Sequence, residues 1–352
     1  MARLRFGIIG AGGIARTHAK CLRGLEDTAE LVAVADAVPE AAARFGQEFG
    51  VQTYGGPDAV HQLLARADID AVSLATPSGL HADQSVMSLQ AGKHVLTEKP
   101  LAITLEQADR MIAAERASGK ALGCVYQNRL QPGAQLVHEA ITQGHFGKIL
   151  HANSYLKWYR SQAYYDAGGW RGTWAMDGGG ALMNQSVHYI DMMQWLAGPV
   201  RAISAYAGTL HHRIETEDAA VAVLRFHSGA LGTIEGMTNA IAGTYDRVEV
   251  FGTEGMAAIE GSRLVRYYTT ALDPKPDHKL PGGNLAEQVL ERYATEHPGV
   301  PTGHTAAFAG FIDAVREGRP APVNAVEAKK ALEIILGIYR SSQQRTEVIL
   351  GE

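Results

Sequence analysis

The chain has 352 residues, of which 46% are hydrophobic and 20% are charged, which is typical of a globular protein with room for two domains. Its net charge of −5, without blocks of like charge, argues against nucleic acid or a membrane surface as partner, and no apolar run approaches the ~20 residues of a membrane span. Cys21 and Cys124 lie far apart and form no ligand cluster, so we expect a reduced, cytoplasmic protein with no disulfide, metal or signal peptide.

Short apolar segments alternate with helical ones up to about residue 123. The predicted strands are Leu4–Ile9, Leu31–Asp36, Ala71–Thr76, His94–Glu98 and Ala121–Tyr126. Between them, Ala82, Val86 and Leu89 recur at helical spacing, and Leu105–Ser118 has a similar period. This alternation predicts right-handed crossovers and a parallel sheet covered on both faces.

After residue 145 the pattern changes to long strands with few helices between them. The predicted strands are Ile149–Trp158, Arg201–Ala207, Ala219–Phe226, Ala230–Met237 and Tyr245–Phe251. Helices are predicted at about Ala181–Leu196, His304–Glu317 and Ala325–Gln343, and residues 271–302 are predicted to be a long loop. We therefore expect an α/β domain over residues 1–123, a boundary near residues 122–128, and an α+β domain with an open, mainly antiparallel sheet over residues 124–352.

A glycine turn follows the first strand. Residues 10–15 read Gly-Ala-Gly-Gly-Ile-Ala and match the dinucleotide pattern G-x-G-x-x-A, in which Gly10, Gly12, Gly13 and Ile14 would contact the cofactor. A purely structural turn is the alternative, but a strand precedes the turn, a helix follows it, and Asp36 ends the next strand. A carboxylate there binds the ribose 2′-hydroxyl and repels a 2′-phosphate, so we expect NAD, with NADP less favoured.

Polar residues also follow the third predicted strand. Thr76, Pro77 and His81 would lie over the same crevice and contact the cofactor. The alternative is an ordinary strand-to-helix turn in which Ser78 is the N-cap.

The segment Glu98-Lys99-Pro100 ends the next buried strand. A lysine at the carboxyl end of a strand in such a sheet faces the ligand crevice, so we expect Lys99 to lie beside the reactive end of the cofactor and Glu98 to contact the cofactor as well. The alternative is a surface lysine. Because proline fixes φ and lowers the cost of a cis bond, we expect a strained or cis Lys99–Pro100 junction.

Four segments together resemble the glucose–fructose oxidoreductase / inositol dehydrogenase / MocA family. They are Gly10–Ala15, Thr76–His81, Ala91–Pro100 and Asp177–Asp191, and the resemblance runs from the first strand through the last helix. It implies an N-terminal Rossmann domain that binds NAD(H) or NADP(H), and a C-terminal open sheet whose outer face commonly builds dimers and tetramers. It also implies oxidation or reduction of a ring hydroxyl or carbonyl on a sugar, cyclitol or nucleotide sugar.

Oxidation of a secondary alcohol needs a base for the hydroxyl proton. Lys99 can hold the hydroxyl and stabilise a developing alkoxide, and His188 is the natural base because histidine ionises near neutral pH. The resemblance assigns both residues the same roles; a satisfied core histidine is the alternative for His188. Asp177 and Tyr159 are the next candidates for the base.

Asn184 departs from the commonest pattern of the family, since many relatives carry aspartate one turn before the histidine. Asn184 can still hydrogen-bond His188 or the substrate, because residues four apart on a helix meet, but it cannot stabilise an imidazolium by charge. Asp191 could orient His188 instead, or it could only anchor the helix.

Aromatic residues and arginines cluster before the glycine run. Aromatic faces suit the apolar side of a sugar ring, and arginines suit hydroxyls, carboxylates or phosphates. The resemblance implies that Trp170 and Arg171 approach the cofactor, that Trp158, Tyr159 and Arg160 approach the substrate, and that Asn128 reaches the nicotinamide or the substrate. The alternative is that the aromatic residues serve only in packing and the arginines form surface ion pairs.

The sequence therefore indicates an NAD(P)-dependent oxidoreductase acting on a secondary hydroxyl or carbonyl of a sugar-like substrate. Two alternatives stay open: a catalytically silent nucleotide-binding or regulatory protein, and an enzyme with tightly held NAD that couples oxidation to elimination or glycoside cleavage. Apolar residues at both parities in 219–224 and 230–234 predict a homodimer or homotetramer, formed sheet against sheet.

Overall fold

The fold was obtained as a computed structural model, and it describes residues 2–244, 246–273 and 283–351. The strands β1–β14 are Leu4–Ile9, Ala29–Asp36, Gln52–Gly55, Ala71–Leu74, His94–Glu98, Leu122–Val125, Ile149–Lys157, Val200–Gly208, Ala219–Phe226, Leu231–Met237, Arg247–Gly252, Gly255–Glu260, Arg263–Thr269 and Val348–Ile349. The α-helices α1–α11 are Gly13–Arg23, Pro39–Phe49, Ala59–Leu64, His81–Gln90, Leu105–Ser118, Pro132–Thr142, Gln162–Asp166, Val187–Ala197, Ala286–Glu296, Gly303–Glu317 and Ala325–Gln344. Shorter helical segments are the 3₁₀ turns Ser78–Leu80 and Gln127–Leu130 and the π turn Ala181–Ser186.

The first sheet is parallel, with the strand order β3-β2-β1-β4-β5-β6. Its central strands are apolar runs because both faces are covered, and β4 and β6 are buried along their whole length. The strand order reverses between β1 and β4, which in open parallel sheets marks the ligand crevice at the carboxyl ends of the strands. The predicted Rossmann architecture is confirmed.

The second sheet is mixed, with the order β13-β12-β11-β7-β10-β9-β8-β14. Only the β7–β10 pair is parallel among its pairings in the described residues, so the prediction of a mainly antiparallel sheet is confirmed. Burial alternates strictly along β9, which means that one face of this strand is covered and the other is exposed. Helix α8 packs against β7 and β11.

Some elements differ from the sequence prediction. The long loop predicted over residues 271–302 is wrong for Ala286–Glu296, which forms α9 because Ala286 and Val289 supply a buried stripe and the helix packs on α6 and β13. Residues 274–282 of that loop, and Tyr245 of a predicted strand, lie outside the described residues. Strands β12 and β13, an antiparallel pair that extends the second sheet, were not predicted from the sequence.

The chain forms two compact units. One contains Met1–Gln127 and Pro301–Lys329, and the other contains Asn128–Val300 and Lys330–Glu352. The sequence analysis assigned residues 124–352 to one domain, whereas Pro301–Lys329 returns to the first unit, where Phe308 and Phe311 of α10 contact Phe6 of β1. Sequence order alone carries no signal for such a return.

Within the described part of the chain, no helix is both long and apolar enough to cross a membrane. Cys21 and Cys124 are buried and are not joined in a disulfide.

Candidate active site

The glycine turn joins β1 to α1. Gly10 has φ of +97°, and a Cβ there would lie 2.5 Å from the carbonyl oxygen of Ala75, so only glycine lets β1 and β4 approach at this point. By contrast, a Cβ on Gly12 or Gly13 would meet no protein atom within 4 Å. Packing within the protein does not explain these two glycines, but a ligand that approaches the backbone would.

The start of α1 suits an anion. The helix begins after Gly12 with no side-chain cap and no acidic residue in its first turn. Ala15, the small third position of the pattern, is fully buried where the helix packs on the sheet. An uncapped helix N-terminus offers amide donors and a positive dipole to phosphate groups.

Asp36 lies at the end of β2, beside this turn. Its carboxylate accepts hydrogen bonds from the amides of Ala11 at 2.7 Å and Val38 at 2.8 Å. The protein itself therefore fixes the carboxylate against the glycine turn, where the pattern expects the ribose of a dinucleotide.

Two strand ends in this unit are linked by His81. Its ring is buried, with Nε2 3.0 Å from the carbonyl oxygen of Thr76 and Nδ1 2.8 Å from that of Pro100. Burial lowers the pKa of His81, against the two carbonyl acceptors that favour the protonated ring. Thr76 donates its hydroxyl to Gln84, and Pro77 precedes the 3₁₀ turn. The His81 side chain thus holds the loops after β4 and β5 together.

Lys99 follows β5 and is partly exposed, and the Lys99–Pro100 bond is cis, as the sequence predicted. The Glu98 carboxylate accepts the Lys99 amide at 3.1 Å through Oε2, and Oε1 lies 2.9 Å from Nε2 of His18. The other ring nitrogen of His18 is 2.8 Å from the Ser73 hydroxyl. Glu98 was predicted to contact the cofactor. In the structure its carboxylate contacts the Lys99 amide and His18, and the first of these contacts fixes the backbone of Lys99.

This buried network holds a charged carboxylate. Burial opposes the ionisation of Glu98, but the hydrogen bond from His18 and the charges of His18, Lys99 and His304 outweigh it and lower its pKa to about 2. The sequence analysis missed His18 and His304, because neither lies in a recognised motif. For His18, the sequence shows that it lies on the helix that follows the glycine turn, which could have marked it as a candidate.

In the second unit, Asn184 and His188 lie in a segment that is otherwise buried. Every residue of the segment 181–194 is buried except these two, which are partly exposed. Asn184 lies in the π turn and His188 in the first turn of α8. Both side chains are therefore accessible, which the predicted common face requires.

The Asn184 amide has partners on both sides. Its Nδ2 donates to Oδ1 of Asp177 at 2.7 Å, and its Oδ1 accepts from Gln185 at 3.0 Å. Asp177 is buried, and its other oxygen accepts the amide of Gly172 at 2.8 Å. An aspartate at position 184 would place two carboxylates within hydrogen-bonding distance, where they cannot both ionise easily. Asparagine at this position therefore donates a hydrogen bond to Asp177 and avoids the repulsion between two carboxylates.

Asp191 makes a buried ion pair. Its two oxygens accept from Nε and Nη2 of Arg129, both at 2.6 Å, and both side chains are almost fully buried. Of the two roles considered for Asp191, these contacts correspond to anchoring α8. A paired buried charge of this kind is costly to break from one side.

Aromatic rings and arginines form one cluster in this unit. The Arg160 guanidinium lies 4.8 Å from the ring of Trp158, and the Arg171 guanidinium lies 5.0 Å from that of Trp170; both also stack on Tyr164. Arg160 donates to Gln185 at 3.0 Å. The two arginines are therefore held by ring faces and carbonyl oxygens.

Two other predicted residues contact the core of this unit. Asn128 hydrogen-bonds Tyr189, and Trp158 Nε1 donates to Asp246 at 3.1 Å. Burial raises the pKa of Tyr189, and the hydrogen bond to Asp246 adds to the effect. Tyr159 is 45% exposed.

The residues of the first unit fit a dinucleotide. The open glycine positions, the uncapped start of α1 and the carboxylate of Asp36 would hold its pyrophosphate and ribose. When bound, NAD supplies a hydride acceptor.

Comparison with known proteins identifies the family. Residues 4–126 match the oxidoreductase family with an NAD-binding Rossmann fold, and residues 134–258 match the GFO/IDH/MocA C-terminal domain. Inositol 2-dehydrogenase from Rhizobium meliloti is 30% identical, and myo-inositol 2-dehydrogenase from Thermotoga maritima is 28% identical, each with 99% of both chains covered. The crystal structure of the WlbA dehydrogenase from Bordetella pertussis, in complex with NADH and UDP-GlcNAcA, is similar over 100% of both chains, with 34% identity and a TM-score of 0.86.

This chain therefore belongs to the glucose–fructose oxidoreductase / inositol dehydrogenase / MocA family of oxidoreductases. It is an NAD-dependent dehydrogenase by family, and the predicted cofactor class and reaction class are confirmed at that level.

Proposed function

We propose that this protein oxidises a secondary hydroxyl of a sugar, cyclitol or nucleotide sugar with NAD, that Lys99 stabilises the developing alkoxide, and that His188 accepts the hydroxyl proton. A neutral imidazole takes the proton as the carbon loses its hydride, and a fixed ammonium stabilises the charge that develops on oxygen. Asn184 hydrogen-bonds the substrate or His188, and the arginine–aromatic cluster contacts the substrate and the cofactor.

The observation that carries the proposal is the exposure pattern of residues 181–194. In an otherwise buried segment, the two partly exposed side chains are the polar pair Asn184 and His188. A helix that served only the core would bury these positions or fill them with apolar residues. The exposure therefore supports a role in chemistry over a satisfied core histidine.

The substrate class can be tested with a panel of free sugars, cyclitols and UDP-sugars, with NAD as oxidant. Relatives named for inositol and a relative solved with UDP-GlcNAcA make both classes worth testing. We expect reduced nicotinamide to appear with at least one class. Tight NAD binding without reduction across the panel would favour the silent nucleotide-binding alternative.

Cofactor choice gives a second test. We expect NAD to be preferred over NADP by about 1–3 kcal/mol, because the Asp36 carboxylate bonds the 2′-hydroxyl and repels a 2′-phosphate. Asp36→Asn keeps the shape without the charge, and Asp36→Ser also makes room; both should narrow the preference, measured as the ratio of kcat/KM values. Equal kcat/KM with both cofactors in the unmodified enzyme would contradict the assignment.

We also propose a homo-oligomer, dimer or tetramer, formed through the open face of the second sheet. Tyr206 faces Val221 across β8 and β9, and Val223 follows on the same face; all three are at least half exposed. Exposed apolar side chains that lie side by side on a sheet are stabilised when another protein surface covers them. Light scattering at micromolar concentration should show a dimer or tetramer, and Val221→Glu with Val223→Glu should dissociate it. A monomer before mutation would refute this assembly.

A reducing, cytoplasmic location is proposed from cysteine usage. Cys21 and Cys124 are both buried, and they form no disulfide with each other. Burial raises the pKa of the Cys21 thiol, which disfavours the reactive thiolate.

A further inference from the structure

Glu217 lies just before β9, and its side chain is buried at the start of the π turn. Its Oε2 accepts the amide of Gly180 at 2.9 Å, and its Oε1 accepts the amide of Leu182 at 2.8 Å. Its carbonyl oxygen accepts the amide of Ala181 at 3.0 Å. Three consecutive amides at the start of a helical segment, which would otherwise lack acceptors, thus bond to one residue.

The glycine run makes this contact possible. A Cβ on Gly180 would clash with the carbonyl oxygen of Glu217, and a Cβ on Gly179 would clash with the hydroxyl of Tyr339. That hydroxyl donates to Oε1 of Glu217 at 2.9 Å. The glycines therefore let the main chain of Glu217 and the side chain of the buried Tyr339 lie directly against the backbone.

The segment held in this way is the one that carries Asn184 and His188. Glu217 fixes its first residues, Asp177 holds Asn184 in the middle, and α8 continues with His188. We propose that Glu217 is a positioning residue for His188, acting through the π turn. This inference rests on the proposed role of His188 as the base.

The chemistry of Glu217 suits this task. An ionised carboxylate accepts from all three of its donors, Gly180, Leu182 and Tyr339. Burial raises the pKa of Glu217 to about 7, while the hydrogen bonds from Leu182, Tyr339 and Gly180 oppose that rise. Replacing the carboxylate by an amide changes one acceptor into a donor that faces another donor, so Glu217→Gln should displace the start of the π turn.

The test is a double-mutant cycle with His188→Ala. If Glu217 acts through His188, Glu217→Gln should lower kcat about 10- to 100-fold in the unmodified enzyme, the size of effect that a small misplacement of a catalytic group produces. In the His188→Ala background, the same change should lower kcat by less than about threefold, because effects on one unit are not additive. The NADH dissociation constant should not change.

Controls separate the possible failures. Glu215→Gln alters a neighbouring carboxylate that is exposed, and it should leave kcat unchanged. Tyr339→Phe removes only the hydroxyl that bonds Glu217. If Glu217→Gln does not fold, the same double-mutant cycle can be measured with Tyr339→Phe, for which a smaller loss of kcat is expected. An equal loss of kcat in both backgrounds, or no loss in either, would overturn the positioning role. Normal turnover of His188→Ala alone would instead refute the proposed function.

Discussion

Replacing His188 with alanine is expected to lower the turnover of substrate oxidation by about 10²–10⁴-fold, the usual contribution of a general base. The substitution removes the proton acceptor and leaves the nucleotide-binding turn of the other unit unchanged. Affinity for NAD should therefore change little. Steady-state turnover and an NADH binding titration measure the two quantities, and His227→Ala, an exposed histidine in the turn after β9, is the matched control.

The pH dependence makes this test specific. Only neutral imidazole accepts a proton, so oxidation by the unmodified enzyme should rise with pH and then level off. His188→Ala should remove that rise. If turnover and its pH profile survive the substitution, the base lies elsewhere, and the exposed Tyr159 would then be a better candidate than Asp177, whose carboxylate is buried and bonded to Gly172 and Asn184.

Replacing Lys99 with alanine is expected to damage turnover by a similar factor, about 10²–10⁴-fold. Removing one preorganised donor from a developing oxyanion costs on the order of 10²–10³-fold, and loss of a full positive charge adds to this. Because the Glu98 carboxylate accepts the Lys99 amide and fixes the backbone here, the loss should fall on kcat more than on folding. Thermal unfolding and kcat, measured together, separate the two effects.

Lys148→Ala is the matched control for Lys99→Ala, since Lys148 is an exposed lysine. Its turnover should equal that of the unmodified enzyme. A Lys99→Ala enzyme with normal kcat would return Lys99 to the alternative of a surface lysine. A normal kcat with a raised KM would instead make it a substrate-binding residue without a part in the chemistry.

Elements with an unambiguous local pattern were predictable from the sequence. Strands Leu4–Ile9 and His94–Glu98 and the helix Leu105–Ser118 occur with the predicted bounds. The strands are apolar runs followed by turn residues, and the helix has a Thr104 N-cap and a Gly119 C-cap. The pair β12–β13 was missed because the apolar run in β12 is only four residues long, 256–259, and Arg263 and Arg266 interrupt the pattern of β13. Helix α9 was missed because it lies in a segment rich in proline and glycine.

The proposed site residues are those that a motif marks in the sequence, whereas the residues that contact them were not predicted. The spacing of Asn184 and His188 predicted a common face, but no local pattern pairs Asn184 with Asp177 or His18 with Glu98. In the sequence, Glu217 is a polar residue shortly before a predicted strand, and no motif marks it as part of a site. Such pairs depend on contacts between residues far apart in the chain, which a single sequence does not reveal.

The π turn at Ala181–Ser186 affects how the segment before His188 should be compared between relatives. A π turn holds one residue more than an α turn, so it is equivalent to a one-residue insertion in a helix. A wide turn absorbs its extra residue, so deleting one residue between Gly180 and Asn184 would close the segment into an ordinary α turn and leave α8 in nearly the same orientation. Asn184 and His188 would still be four residues apart on one helix. Alignments of this family should therefore be compared for the number of residues between the glycine run and the histidine, as well as for their identity.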